Sequence, residues 1–209
     1  AASDVYKRQI LNSSLSHEVL DAAHLLFIPR PDNAFSSDEL TMLREFVADG
    51  GAVIITGDGE YNTDDETYYM NANVPNAFLS YYGVEFLTGQ INDTTMPYGD
   101  WNWVEDIVYN ASPVAEVLNF KIDVHFKYVA PINITDDDGV IEKDGLRIEI
   151  YPTLVAGPST YVLDENRNRN DTWPKNIEVV IVTNTSGKII VIGSTYNFEW
   201  KMDKAYMKA

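Results

Sequence analysis

The chain has no cysteine, which excludes disulfide bonds, thiolate metal sites and cysteine nucleophiles. Histidine is scarce as well: the three histidines are His17, His24 and His125, and no two of them have the spacing of zinc ligands. No apolar run approaches the roughly 20 residues that a membrane-spanning helix requires. We therefore expect no metal, no cofactor and no direct membrane contact by this segment.

Basic residues are also few. There are 15 lysines and arginines against 32 acidic residues, and the net charge is −17. Because like charges repel, we expect neither nucleic acid nor an anionic membrane surface as a partner. Hydrophobic residues make up 45% of the 209 residues and aromatic residues 12%. This composition argues against disorder and predicts one folded domain with a substantial core.

The first nine residues, AASDVYKRQ, lack the apolar core of a signal peptide. They match the translation of a transposon end that is used to prepare sequencing libraries. We therefore expect residues 1–9 to be a non-native leader and residues 10–209 to form a single domain, truncated at both ends. A signal or a membrane anchor would then lie in the missing flanking sequence.

Glycosylation sequons are more frequent than expected, with six Asn-x-Ser/Thr triplets where chance gives roughly two. They begin at Asn12, Asn92, Asn110, Asn133, Asn170 and Asn184. This excess predicts an exported, cell-surface protein. The candidate glycosylation sites are Asn92, Asn133, Asn170 and Asn184.

The most regular pattern lies in the first third of the chain. Ala22–Ile28 is a short apolar run, typical of a buried parallel strand. Ser36 and Glu39 then have the spacing of a capping box at the start of a helix, which a pair of glycines ends. Val53–Thr56 is a second buried strand. Together these segments predict a β-α-β unit.

The rest of the chain predicts shorter elements. His125–Ile134 and Val140–Ile150 alternate between apolar and polar residues, and Asp144-Gly145 has the composition of a type I′ hairpin turn, within a stretch that runs to about Leu163. We therefore expect an antiparallel hairpin extension there. By contrast, Thr88–Trp103 is predicted to be loop-rich.

Four segments of the sequence resemble the class I glutamine amidotransferase-like fold. They are LLFIPRPDNAFSSDELTMLREFVADGGAVIITGD, NAFLSYYGVEF, DIVYNASPVAEVL and IIVIGSTYNF, spread over about Leu20 to Phe198. Within that fold the chain resembles a non-catalytic branch, the DUF4350-like and gliding-type ABC-transporter auxiliary domains of prokaryotic surface proteins. The resemblance implies a three-layer α/β sandwich with a mainly parallel sheet, similar to flavodoxin.

The resemblance also implies a place for a catalytic elbow. Catalytic members carry a cysteine at a strand-to-helix elbow, with a histidine and a glutamate completing a triad, and the corresponding elbow of this chain is Gly57-Asp58-Gly59. Without a thiol, acyl transfer by that route is excluded, and we expect no enzymatic activity. Asp58 and Glu60 could instead bind a cation or a sugar hydroxyl, or act as general acid and base. Alternatively, Asp58 closes the turn by accepting backbone hydrogen bonds.

Aromatic residues form the other suggestive cluster. Tyr98, Trp101 and Trp103 lie in the loop-rich stretch beside acidic residues, a combination found in sugar-binding platforms. Packing of this loop against the sheet would explain the same residues without a ligand.

These observations favour a catalytically silent binding or scaffolding domain of a larger exported or membrane-associated prokaryotic protein. Its partner would be a protein or a glycan, engaged through Asp58, Glu60 and the aromatic cluster. One alternative is a carboxylate-dependent hydrolase that uses Asp58 and Glu60. A second alternative is an auxiliary domain of an ABC-type transport system.

Overall fold

The computed structural model describes residues 15–64, 66–96, 103–110, 126–136 and 138–195, and strands predominate over helices there. The helices of these ranges are α1 (His17–Asp21), α2 (Ser37–Ala48) and α3 (Asn73–Leu79), which continues into a 3-10 turn, Ser80–Tyr82. The first eight strands are β1 (Leu25–Pro29), β2 (Ala52–Thr56), β3 (Tyr61–Asn62), β4 (Thr67–Tyr68), β5 (Val84–Phe86), β6 (Gln90–Asp93), β7 (Trp103–Val104) and β8 (Ile107–Tyr109). The remaining strands are β9 (Phe126–Lys127), β10 (Ile132–Ile134), β11 (Val140–Lys143), β12 (Leu146–Ala156), β13 (Thr160–Leu163), β14 (Arg169–Asn170), β15 (Asn176–Thr183) and β16 (Lys188–Ile192). Within these ranges, no helix is both long enough and apolar enough to cross a membrane.

The predicted β-α-β unit is confirmed. Strands β1 and β2 pair in parallel over five residues each, and α2 connects them. The capping box at the start of α2 is present: the Glu39 amide donates to Ser36 Oγ at 3.2 Å, and the Ser36 amide donates to Glu39 Oε2 at 2.9 Å. Gly50, with a φ of 94°, ends the helix in a conformation that favours glycine.

The main sheet is mixed rather than mainly parallel. Its central order is β1-β2-β16-β15-β10-β5, and only β1 with β2 and β2 with β16 pair in parallel among the described strands. The second half of the chain forms hairpins. Strands β15 and β16, for example, are joined by four residues, a connection short enough only for antiparallel pairing. The fold is therefore α/β with a strand-rich mixed sheet, and the predicted predominance of parallel pairing is not confirmed.

An antiparallel hairpin extends this sheet, as the sequence predicts. Strands β11 and β12 pair from Val140↔Glu149 to Lys143↔Leu146. The turn between them has φ values of 51° at Asp144 and 79° at Gly145, the two positive values of a type I′ turn.

The central strands of the main sheet, β2, β15 and β16, are mostly buried, and the residues of β2 pack into clusters on both faces of the sheet. Along the strands, side chains alternate between the two faces. The face with Val53 and Ile55 joins the core cluster that includes residues of α2 and α3, whereas Ile54 packs on a second cluster. That second cluster includes Ile91 of β6 and Val162 of β13, in the small antiparallel sheet β14-β13-β6. The strand β6 lies inside the stretch predicted to be loop-rich, so that prediction was wrong for Gln90–Asp93.

Candidate functional site at the strand edge

The elbow after β2 lies where three parallel strands end. Strand β1 ends just before Arg30, β2 just before Gly57, and β16 just before Gly193. Because parallel strands present their carboxyl ends at one edge, these termini and the loops that follow them come together. Neither described histidine lies at this edge, since His17 and His24 precede the amino end of β1.

Asp58 is buried, with 7% of its surface exposed, and both of its carboxylate oxygens are engaged. Arg30 Nη1 lies 2.7 Å from Oδ2 in an ion pair, and the Glu60 amide donates to Oδ1 at 2.8 Å. The Asp58 amide itself donates to the Met70 sulfur at 3.2 Å. Asp58 therefore closes its own turn and anchors it to the end of β1, as the turn-closing alternative expected.

The two glycines of the elbow are required by close contacts. A Cβ added at Gly57 would lie 2.7 Å from the Phe86 ring, and one at Gly59 would lie 2.7 Å from the backbone of Val129. The Gly59 amide also donates to the Tyr128 carbonyl at 2.7 Å. The two glycines are thus explained by packing of the turn, with Gly57 against Phe86 of β5 and Gly59 against the segment that carries Lys127 and Tyr128.

Glu60 is partly buried at the same edge. The cationic side chains of Arg30 and Lys127 and the side chain of Tyr128 lie close enough to affect its pKa. Burial raises the pKa of the Glu60 carboxyl above its usual range, and the Asp58 carboxylate raises it further. Lys127, a hydrogen bond with the Tyr128 side chain, and Arg30 act in the opposite direction. The Lys127 ammonium lies 4.6 Å from the centre of the Tyr128 ring. This arrangement combines a carboxyl group, two cations and a phenol on one rim.

Two of these residues have unusual backbone conformations. Arg30 has a φ of 34° and Tyr128 a φ of 53°, in a region that costs a non-glycine residue about 1–3 kcal/mol. Such strain clusters at functional sites more often than elsewhere. The sequence reasoning missed Arg30, Lys127 and Tyr128, although the position of Arg30 directly after a predicted strand was a usable signal.

The hydroxyl groups at this edge of the sheet form hydrogen bonds within the fold. The Thr195 hydroxyl donates to the Gly57 carbonyl at 2.8 Å and lies 2.7 Å from the Thr56 hydroxyl. The Ser194 hydroxyl donates to the Lys127 carbonyl, and Ser194 is fully buried. These contacts tie the end of β16 to the elbow and to the segment beside it.

The aromatic cluster is only partly covered by the described residues. Tyr98 and Trp101 lie outside them. Trp103 belongs to β7, where its backbone is the register partner of Lys127 in β9. The structure therefore brings the strand of Trp103 next to the segment that carries Lys127 and Tyr128.

The sequons differ in accessibility. Asn92 lies in β6 and is only 4% exposed, so its amide is inaccessible in the folded chain. Asn133 and Asn170 are partly buried in β10 and β14, whereas Asn184 is exposed in the turn before β16. Burial therefore disfavours glycosylation of Asn92 in the folded chain, whereas glycosylation of Asn133, Asn170 and Asn184 stays a prediction, with Asn184 the best placed.

A second polar cluster surrounds Asp93, which is fully buried. Its carboxylate accepts hydrogen bonds from the amide and hydroxyl of Thr95, from the amides of Glu105 and Asp106, and from the Ser159 hydroxyl. Burial by itself would raise the pKa of Asp93, but these donors outweigh it and lower the pKa to about 2. The carboxylate is saturated with donors, and no cluster of ligand-type side chains in the described ranges could hold a metal ion.

No protein-family model matches the chain, and no curated protein matches it. Among solved structures, the chain is similar to the mmIFT52 N-terminal domain, with a TM-score of 0.61 and 15% identity over 90% of this chain and 72% of that one. This similarity shows a shared fold. A β-galactosidase from Rahnella sp. R3 (TM-score 0.45, 13% identity, 82% of this chain, 20% of that one) is more distant. So is a cytoplasmic protein from Salmonella typhimurium, STM3548 (TM-score 0.42, 15% identity, 86% of this chain, 63% of that one). None of these names indicates a glutamine amidotransferase.

Proposed function

We propose that this chain is a catalytically silent binding or scaffolding domain of a larger exported or membrane-associated prokaryotic protein. Its ligand is a glycan or a protein partner, bound at the rim formed by Arg30, Glu60, Lys127 and Tyr128. We also propose that the domain descends from the three-layer amidotransferase-like fold. The β-α-β unit and the elbow that follows it support this part of the proposal. The mixed sheet around that unit is a departure from it.

The observation that carries the proposal is the engagement of Asp58. Asp58 is only 7% exposed, and Arg30 on one carboxylate oxygen and the Glu60 amide on the other hold the group inside its turn, so little of it faces a substrate. Asp58 therefore holds the turn after β2 to the residue that follows β1, and we infer that it has a structural role and not a catalytic one. The rim around it offers charges of both signs and a tyrosine ring, which suit the hydroxyls and C–H faces of a sugar.

Glycan-array binding by the full chain, followed by calorimetry on any glycan retained, tests this proposal. We expect Glu60→Gln and Lys127→Ala each to weaken binding by about tenfold, the effect of losing one hydrogen bond to a charged group. Lys143→Ala, in the distant β11 strand, is the matched control and should leave the affinity unchanged. Glycan binding that survives both rim substitutions would contradict the proposed site.

One observation favours the hydrolase alternative, namely the raised pKa of Glu60, because a general acid must hold its proton near the operating pH. Chromogenic glycosides and esters separate the two functions. Under our proposal no substrate is turned over faster by the native chain than by the Glu60→Gln variant. Turnover that this variant abolishes would establish the alternative.

A further inference from the structure

The two-stranded ribbon β3-β4, which follows the elbow, extends the rim beyond Glu60. Its strands pair at Tyr61↔Tyr68, and the Tyr69 amide donates to the Glu60 carbonyl at 3.0 Å. The same register therefore places Tyr69 directly opposite Glu60. Because directly opposed residues of an antiparallel pair have their side chains on the same side, the Tyr69 ring and the Glu60 carboxyl share one face of the ribbon.

The other face of the ribbon packs against the protein. The rings of Tyr61 and Tyr68 are in edge-to-face contact there, with centroids 5.1 Å apart. The Tyr68 hydroxyl donates to the Asp164 carbonyl at 3.0 Å, and burial raises the pKa of Tyr68 to about 12. The Arg167 guanidinium lies 4.5 Å from the centre of the Tyr61 ring. These contacts fix the ribbon through one face, and the opposite face carries Glu60 and Tyr69.

Tyr69 is an exposed aromatic residue on a fixed backbone. It is 51% exposed, and within the described ranges its side chain forms no hydrogen bond, ring contact or cation–π contact. The backbone is held on both sides: the Tyr69 amide donates to Glu60, and the sulfur of the next residue, Met70, accepts the Asp58 amide at 3.2 Å. A fixed aromatic surface suits binding, since little conformational freedom remains to be lost.

The groups on this face are complementary to different parts of a sugar. The Tyr69 ring offers an apolar face for C–H groups, whereas Glu60 and Lys127 offer hydrogen-bond partners for hydroxyls. Both can be used at once when the hydroxyls are equatorial, because they then lie near the plane of the sugar ring. The carboxyl groups of Asp58 and Glu60 and the net charge of −17 disfavour an anionic sugar.

We propose that Tyr69 is the stacking platform of the rim and that the ligand is a neutral glycan with equatorial ring hydroxyls. This inference rests on the proposed function, because it takes the rim as the binding site. One face of a sugar ring lies on Tyr69, and the hydroxyls at its edge reach Glu60 and Lys127. Tyr69 thus selects for an apolar C–H face, while the carboxyl groups beside it select against a carboxylated sugar.

Methyl β-cellotrioside is the probe, because it is uncharged and all of its ring hydroxyls are equatorial. It is titrated into the full chain, and binding is followed by NMR. We expect a dissociation constant on the order of 10⁻⁴ M, and upfield shifts of the sugar C–H protons from the ring current of Tyr69. A tyrosine with only a structural role would not cause these shifts. The corresponding trimer of glucuronic acid should bind at least tenfold more weakly.

Substitutions at Tyr69 separate the ring from its hydroxyl. Tyr69→Ala should weaken binding of the cellotrioside at least tenfold and abolish the upfield shifts, whereas Tyr69→Phe should retain the shifts and the affinity within about twofold. Val140→Ala, which shortens an exposed apolar side chain in β11, is the matched control and should leave the affinity unchanged. If Tyr69→Ala does not fold, Tyr69→Thr, with its preference for strands, takes its place.

The outcomes distinguish this inference from the proposed function. Absence of cellotrioside binding would overturn the inference, as would binding that Tyr69→Ala leaves unchanged or tighter binding of the glucuronic acid trimer. The proposed function has its own test in Glu60→Gln and Lys127→Ala. It stands in each of these cases if the two rim substitutions weaken binding of a charged glycan or of a protein partner.

Discussion

At the scale of single residues, Asp93 shows how a buried charge becomes a structural anchor. Its five donors come from three separate segments, the turn after β6, the residues between β7 and β8, and the turn before β13. Asparagine is nearly the same size but would turn an NH₂ group toward N–H donors. We expect Asp93→Asn to lower the free energy of unfolding at neutral pH by about 2–3 kcal/mol.

The pH dependence of that loss has a definite sign. The pKa of Asp93 is about 2 in the folded chain, below its ordinary value of 3.8, so the carboxylate stabilises the fold above that ordinary value. This contribution is lost as the pH falls from 3.8 toward 2. Urea unfolding of both proteins across this range measures it. A difference between native chain and variant that stays constant down to pH 2 would contradict the assignment.

Glu178 is expected to behave in the opposite way. It lies in the middle of the main sheet opposite Ile192, and the Thr153 hydroxyl donates to it at 2.7 Å. Burial raises the pKa of Glu178 above its ordinary 4.5, so its contribution to stability is present below that value and is lost as the pH rises through the folded-state pKa.

The test substitution is Glu178→Gln, which keeps the acceptor for Thr153 and removes the charge. We expect this variant to be more stable than the native chain at pH 7 by about 1 kcal/mol, and equally stable near pH 4. Thermal or urea unfolding at the two pH values measures the difference. A loss of stability at pH 7 would show that the ionised carboxylate has a stabilising partner.

At the scale of elements, the predictions that depend on residues close together in the chain are confirmed. The capping box of α2, the two strands beside it and the type I′ turn at Asp144-Gly145 all depend on residues within about five positions of one another. Such contacts are encoded in a short stretch of chain. The structure accordingly has them where the sequence places them.

The failures concern pairing between distant segments. The sequence of β6 is typical of a polar loop because Gln90, Asn92 and Asp93 are polar. In the structure all four residues of β6 are buried, and the strand pairs with β13. The direction of the sheet pairings depends in the same way on which hairpins form. The candidate site shows both cases, since Asp58 was found from its turn, whereas Lys127 and Tyr128 reach the elbow from about 70 positions away.

At the scale of the whole molecule, the net charge of −17 is the dominant property. The ion pairs of Arg147 and Arg169 are exposed, and because 32 acidic residues face only 15 basic ones, at least half of the acidic residues can have no basic partner of their own. Repulsion between surface charges acts over the Debye length, about 30 Å at 10 mM salt and about 3 Å at 1 M. Folding of this chain therefore brings like charges closer together, and their repulsion lowers the stability of the compact state.

It follows that sodium chloride should stabilise the fold. We expect the free energy of unfolding to rise by about 1–2 kcal/mol between roughly 10 mM and 0.5 M sodium chloride, because screening removes more repulsion than it weakens exposed ion pairs. Urea unfolding at a series of salt concentrations measures the rise. A free energy of unfolding that falls with salt would mean that attractive pairs, and not repulsion, dominate the electrostatics of this domain.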